Sequence, residues 1–258
     1  MRSSTKFKIV TIILCFALLI VTSCENMFTT SIFKSAARDP ETTVKKSSTE
    51  ELVNSGSNPE VVNNPEIAQA ALEELAGREL GKITAEDANN ILDLTTSAIL
   101  PISSIADALE QIQNQNNSEE KVELFDKLVE SIPQVNTAAV EKILSDPELV
   151  NNADISSVVM GTMSVMSSTI ANTEITQTPT EILSEIVNNV KNDISDDMST
   201  EEKISTVLQG TDFENNSAMV AVVNSILIIK DREDVKNLNL FGIDIGGMFS
   251  DKENAEQA

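Results

Sequence analysis

ADISSVVMGTMSVMSSTIA, residues 153–171, is the stretch whose reading decides the fold. Asp154 is its one charged residue, and Val158, Val159, Met160, Met163, Val165, Met166 and Ile170 leave it without a broad polar face. Its Val, Ile, Ser and Thr content also suits a β-strand. Strict alternation is missing, however, and the run exceeds the roughly 3–10 residues of ordinary strands. A helix that is apolar all round is a buried one, so the pattern predicts a central helix over 153–171. Met160, Met163 and Met166 recur at helical spacing beside Gly161. A buried core stripe is the first reading of them, and an adaptable groove for an acyl chain or a partner helix is the second.

Outward from this segment the chain reads as helix after helix. Asn64-Pro65-Glu66 joins an Asn cap to Pro at the first helical position and opens a helix to about Leu80. Thr84 to Asp87 resembles a capping box for a helix to about Leu100, stopped by Pro101, and Ile102 to Gln115 follows. Ser118 opens a helix with Val122, Phe125, Leu128, Val129 and Ile132 on its apolar face. A shorter helix is expected over Thr137 to Ser145, and Asp146-Pro147-Glu148 is a turn or a fresh start. Thr178-Pro179-Thr180-Glu181 and Ser199 to Glu202 are capping-box openings for helices to about Asp193 and Gln209, and Asn216 to Ile229 is again strongly apolar.

A shift of 64 residues lays Val140–Val159 on Ile204–Val223, pairing Leu144 with Leu208, Asn151-Asn152 with Asn215-Asn216, and Val158-Val159 with Val222-Val223. An internal duplication is one reading; chance agreement among Val-, Ile- and Asn-rich helices is the other. The expected architecture is all-α: a multi-helix bundle or short helical array over residues 65–250, with the duplication left open. Glycines and alternation in the tail around Leu240 to Ile245 suggest an extended segment or loop, and residues 251–258 should fray.

Residues 25–64 are rich in Ser, Thr, Asn and Pro with little sustained periodicity, which reads as a flexible linker. Met27-Phe28, Ile32-Phe33 and Ala36-Ala37 with Lys34 and Arg38 form one exception, readable as a short interfacial helix.

The 258-residue chain carries 18 basic and 41 acidic residues. Three bases lie in the first 24 residues and four in residues 25–46, where three acids stand, so residues 47–258 hold 11 bases against 38 acids. Such a body repels phosphate backbones and anionic headgroups, which argues against a nucleic-acid partner. Histidine is absent, so a His-ligated metal and a Ser-His-Asp or Cys-His unit are both excluded. Trp and Tyr are absent too, which disfavours sugar-stacking and aromatic-cage sites. Acid pairs such as Glu73-Glu74, Glu119-Glu120, Asp196-Asp197 and Glu201-Glu202 point about 100° apart on a helix. Several fall in first turns, where they offset the helix dipole. No calcium-loop pattern and no glycine-rich phosphate loop is present, and neither a metal nor another cofactor is expected.

Arg2, Lys6 and Lys8 precede the apolar run Ile9 to Val21, and Val21-Thr22-Ser23-Cys24 closes it. This is the layout of an export signal over residues 1–23. Thirteen residues span about 20 Å, short of the roughly 30 Å of a hydrocarbon core. Val21-Thr22-Ser23-Cys24 resembles the lipobox of bacterial lipoproteins. The resemblance implies acylation of the Cys24 sulfur, a palmitate-type lipid anchor, and a tether running from Cys24 to residue 64. It leaves inner or outer membrane open. A plain secretory signal with a chance cysteine is the competing reading. Cys15 would leave with the signal and Cys24 would be lipidated, so no intrachain disulfide is expected.

The functional expectation is a lipid-anchored, extracytoplasmic helical protein of the bacterial envelope. It would act as a non-catalytic interaction or scaffold module with a protein partner. The alternative is a carrier for an apolar small molecule, associated with a transporter.

Overall fold

Most of the helices begin at a side chain that holds a free N–H group, which helps to set where the sequence breaks into helices. The computed structural model describes residues 40–99, 111, 118–173, 175–235, 239–240 and 243–244. Among them are twelve α-helices. The first six are α1 (Pro40–Lys46), α2 (Thr49–Asn54), α3 (Pro59–Val62), α4 (Pro65–Ala76), α5 (Ala85–Ile99) and α6 (Ser118–Glu130). The second six are α7 (Ala138–Leu144), α8 (Pro147–Asn152), α9 (Ile155–Ala171), α10 (Pro179–Asn192), α11 (Thr200–Leu208) and α12 (Ser217–Ile229). A 3₁₀ turn, Ser55–Ser57, joins α2 to α3.

Ser48, Thr178 and Ser199 form reciprocal capping boxes with Glu51, Glu181 and Glu202. Thr84 and Asp87 exchange the same pair of bonds at 2.8 and 3.2 Å. Asn58, Asn64, Asp146, Asp154 and Asn216 each accept a first-turn N–H. Each such cap is worth about 1 kcal/mol.

The helix over 153–171 starts at Ile155, with Asp154 as its cap, and is buried at every position from Val158 to Ser167. Helix α9 lies between α5 and α12, and also meets α6, α7 and α10. Its neighbours approach closely at Gly161, where a Cβ would stand 2.5 Å from Leu92 Cδ2 and 3.2 Å from Val140 Cγ1. Helices α5 and α9 run parallel across their polar contacts, because Asn89 bonds Asp154 and Asp93 bonds Ser157. A single core of buried residues extends from Val44 to Val235.

The boundary expected at residue 64 moves toward the N-terminus. Val44, Leu52, Val53 and Val61 are buried in the common core, so residues 43–64 belong to the helical body and not to a flexible tether. Their apolar residues are too few to show a period, yet caps and the prolines at 59 and 65 divide them into short helices that each turn one or two side chains inward. Gly56 seals the arrangement: a Cβ there would lie 1.9 Å from the carbonyl oxygen of Asn90, so backbone rests directly on backbone. The signal 1–23, Cys24, the segment from Met27 to Ala37, the helix expected over Ile102 to Gln115 apart from Gln111, and the tail 251–258 lie outside the described residues.

Two smaller expectations also change. Helix α4 ends at Ala76 instead of near Leu80, with Gly77 as its C-cap, and beyond it the Arg78 guanidinium bonds Glu74 and the carbonyl of Ser47, at 2.7 Å in each case. Val122 is 41% exposed: the stripe Phe125, Leu128, Val129 and Ile132 does the burying, and the turn before it is uncovered.

The 64-residue correspondence holds for burial at several pairs and only partly for elements. Leu144 and Leu208, Leu149 and Phe213, and Val158-Val159 and Val222-Val223 are all buried. Helix α8, however, has only turns as its counterpart. Gly210, at φ 77°, and Thr211 stand where Asp146 and Pro147 supply a cap and a fixed first φ. A closer local match joins Asn58-Pro59-Glu60-Val61-Val62-Asn63-Asn64 to Asp146-Pro147-Glu148-Leu149-Val150-Asn151-Asn152. Both form a capped single-turn or two-turn helix with Pro first. In the tail, Asn239–Leu240 and Ile243–Asp244 pair as two antiparallel two-residue strands.

Gly56→Ala should destabilise the protein by at least about 1–3 kcal/mol, the usual range for overpacking. Gly77→Ala, whose added Cβ would meet its nearest neighbour at 3.7 Å, should leave the thermal midpoint nearly unchanged. Thermal unfolding of the two variants compares them directly, and an equal response would mean that residues 43–64 are not docked on α5.

Candidate functional site

The residues singled out by sequence fall in two places. Val21, Thr22, Ser23 and Cys24 lie outside the described residues. Met160, Met163 and Met166 are brought together on α9, but at 6%, 6% and 2% exposure they sit inside the core. They fill space between helices instead of lining a groove, as unbranched thioether side chains do well.

Several of the carboxylates hold helix ends or pair with a base. Glu51 and Glu202 are kept below the usual carboxylate range by the backbone N–H groups and then the hydroxyls of Ser48 and Ser199. Glu123 is lowered by its bond to Lys127, and Asp234 by its bond to Arg232. The Ser195 hydroxyl lowers Asp197 in the same way. Glu74 pairs with Arg78. Arg232 does more than pair with Asp234: its Nη1 donates to the carbonyls of Val150 and Ala153 at 2.8 and 3.0 Å, closing the end of α8. Among the described residues, no group of three His, Cys, Asp or Glu could hold a metal ion, and no helix is long and apolar enough to cross a membrane.

The polar groups inside the bundle are satisfied in a similar way. Thr162 and Thr169 return their hydroxyls to the carbonyls of Val158 and Val165 at 2.8 Å, and Thr162 also meets Ser225 at 3.0 Å. Asn224 Nδ2 donates to the carbonyl of Leu144 at 2.7 Å, and Ser167 to that of Val129 at 2.9 Å. The buried Ser164 hydroxyl has no hydrogen-bond partner.

What sequence reasoning missed is a cleft of about 750 Å³ between the α4–α5 loop and the α7–α8 corner. The loop is fixed at one end by Arg78 and at the other by Thr84 and Asp87, and between them Gly81 takes φ 61°. Glu79, Lys82 and Ile83 form one wall, and Lys142, Glu148 and Leu149 the other. Leu149 is buried and supplies an apolar floor, while the five charged side chains of the lining, Asp146 included, are exposed. Cations and carboxylates thus line the same depression without an ion pair between them. The cleft can take a ligand surface that carries both signs of charge around an apolar contact. No motif marks it, because its walls come from segments about 65 residues apart that are individually ordinary loop and helix-start sequence.

Comparisons of the chain with models of known families, with curated proteins and with solved structures find no match.

Met163→Ala should cost about 2–5 kcal/mol of stability in denaturant unfolding, as for other buried large side chains. Ser164→Ala should be neutral or mildly stabilising, since it removes a hydroxyl that has no partner. A cheap Met163→Ala would mean that its site is an adaptable surface after all.

Proposed function

We propose that this is a lipid-anchored protein of a bacterial envelope whose helical body works outside the cytoplasm as a non-catalytic interaction module. The observation that carries the reading is the run from Arg2 to Cys24, with charge, a short apolar core and a Val-Thr-Ser-Cys ending in that order. The use of carboxylates as caps and ion-pair partners supports a body built for shape over chemistry. The cleft beside Lys82 and Lys142 is the surface best suited to a protein partner with charges of both signs.

The folded N-terminal helices bear on geometry. With the body beginning near residue 40, residues 25–39 can separate it from the lipid by at most about 50 Å of extended chain. A linker running to residue 64 could span more than twice that. The body therefore works close to the membrane, on partners seated in or just above it, while its excess of acids keeps it from lying flat on anionic headgroups. The reading as a carrier of apolar ligands has less support, since its pocket wall, Met160, Met163 and Met166, is core.

Growth of the expressing host with an alkyne fatty acid should label the protein, and Cys24→Ala should abolish the label; equal labelling of both would remove the anchor. Lys82→Glu with Lys142→Glu should leave stability within about 0.5 kcal/mol, as usual for exposed, unpaired positions. The same double variant should reduce partner recovery several-fold when intact cells are crosslinked. Undiminished recovery would put the partner on another face.

A further inference from the structure

Asp93 lies on α5 opposite the start of α9. Its Oδ1 is 2.9 Å from Ser157 Oγ, and the same Oγ is 3.3 Å from Asp154 Oδ1. One hydroxyl therefore stands between two carboxylates in the seam of two parallel helices. A serine hydroxyl has a single hydrogen to give. If both acids are ionised, it donates to one and turns only lone pairs toward the other, which leaves oxygen facing oxygen, with Asp154 exposed and Asp93 partly buried. Such an arrangement is unfavourable on the Asp93 side, where water has less access than at Asp154.

We propose that the folded protein takes up a proton at Asp93, so that Asp93 donates to Ser157, Ser157 donates to Asp154, and the α5–α9 seam is strengthened by mild acid. The step moves one proton from solvent to a carboxylate oxygen of Asp93 and changes nothing else but hydrogen bonds. The three groups then form a chain in which each hydrogen has an acceptor.

The proton belongs on Asp93 for a geometric reason. Asp154 caps α9, its Oδ1 accepting the Ser157 N–H at 3.0 Å at the positive end of the helix dipole, while its own N–H is held by Asn89 at 2.8 Å. Asp93 sits in mid-helix, and its one recorded side-chain bond is the Ser157 hydroxyl. Among the described residues, Asp154 is the ionisable side chain whose charge acts on Asp93; none from α2, α3, α4, α7 or α8 does so. On α5 itself, the residues one turn either side are Asn89 and Ser97, which are neutral. Burial pushes the Asp93 carboxyl above the usual range; the Ser157 bond works against that, and the Asp154 charge adds to it.

The sign follows from linkage. A carboxyl that binds its proton more tightly in the folded than in the unfolded chain adds stability as the pH falls through its folded-state value. The gain is complete below the unfolded value of about 3.9. Glu51, Glu123, Asp197, Glu202 and Asp234 are all held low and act in the opposite direction, so the effect has to be read as a difference.

The test is a carbon-13 carboxyl titration of the full chain, with Asp93→Asn used to assign the resonance. Asp93 should titrate above the ordinary aspartate value of about 3.9, and Asp154→Asn should lower it only in part, because burial is the larger cause. In denaturant unfolding, Asp93→Asn should be more stable than the unaltered protein near neutrality, by an amount that shrinks as the pH is lowered. An Asp93 titration at or below the ordinary value, or a stability difference that does not change with pH, would overturn the proposal.

Discussion

Helix α9 has no face that can be given to water, and the rest of the bundle is arranged around that fact. Ten consecutive positions from Val158 to Ser167 are buried, so the helix needs cover from every side. Helices α5, α6, α7, α10 and α12 provide it. Each of these presents a stripe inward, as α10 does with Ile182, Ile186, Val187 and Val190. Helix α12 resembles α9 in being buried from Ala221 to Leu227, and it takes its own cover from α7, α8, α9 and α11. Two helices without polar faces in one chain of this size require many short neighbours. The result is a body of numerous brief, capped helices instead of a few long ones.

Short helices are marginal by themselves, so the fold depends on how their ends are held. The chain uses its Ser, Thr, Asn and Asp residues for this, and much of its acid excess goes into first turns. Where α8 ends, Arg232 reaches back from beyond α12 to bond two carbonyls. Where α4 ends, Arg78 does the same for Ser47. These two arginines tie sequence-distant segments together through backbone acceptors, a role suited to a rigid guanidinium with several donors. Some carboxylates lie apart from caps and ion pairs. Glu79 and Glu148 face the cleft with Lys82 and Lys142. Asp93 is half-buried against Asp154.

Helix starts were legible because capping is local chemistry: Asn64 to Ile67, Thr178 to Glu181 and Ser199 to Glu202 each contain both partners of their own bonds. The helical state of 153–171 was legible from its length and want of alternation. The folded state of residues 43–64 was not, because Val44, Leu52, Val53 and Val61 are too sparse to show a period. Gly56 looks like a linker glycine until Asn90 is placed against it. Val122 sits at the right spacing for burial, and spacing does not say where neighbouring helices stop. The cleft and the Asp93–Ser157–Asp154 chain lie between segments about 65 residues apart, so no local pattern could contain them. The 64-residue shift that relates Val140–Val159 to Ile204–Val223 also separates Asp93 from Ser157.

From the sequence by itself came the all-helical class, most helix boundaries, the strongly acidic body, the exclusion of histidine chemistry and the expectation of an export-and-lipid signal ending at Cys24. All of these depend on composition or on residues within one or two turns of each other. Tertiary structure alone decided that the N-terminal helices are part of the core, that the methionines of α9 fill space instead of forming a groove, and which charged groups share a cleft or a hydroxyl. Those outcomes depend on which faces meet. Contact between distant segments is selected by the total area and polarity buried across the whole bundle, a quantity that no single stretch of chain carries.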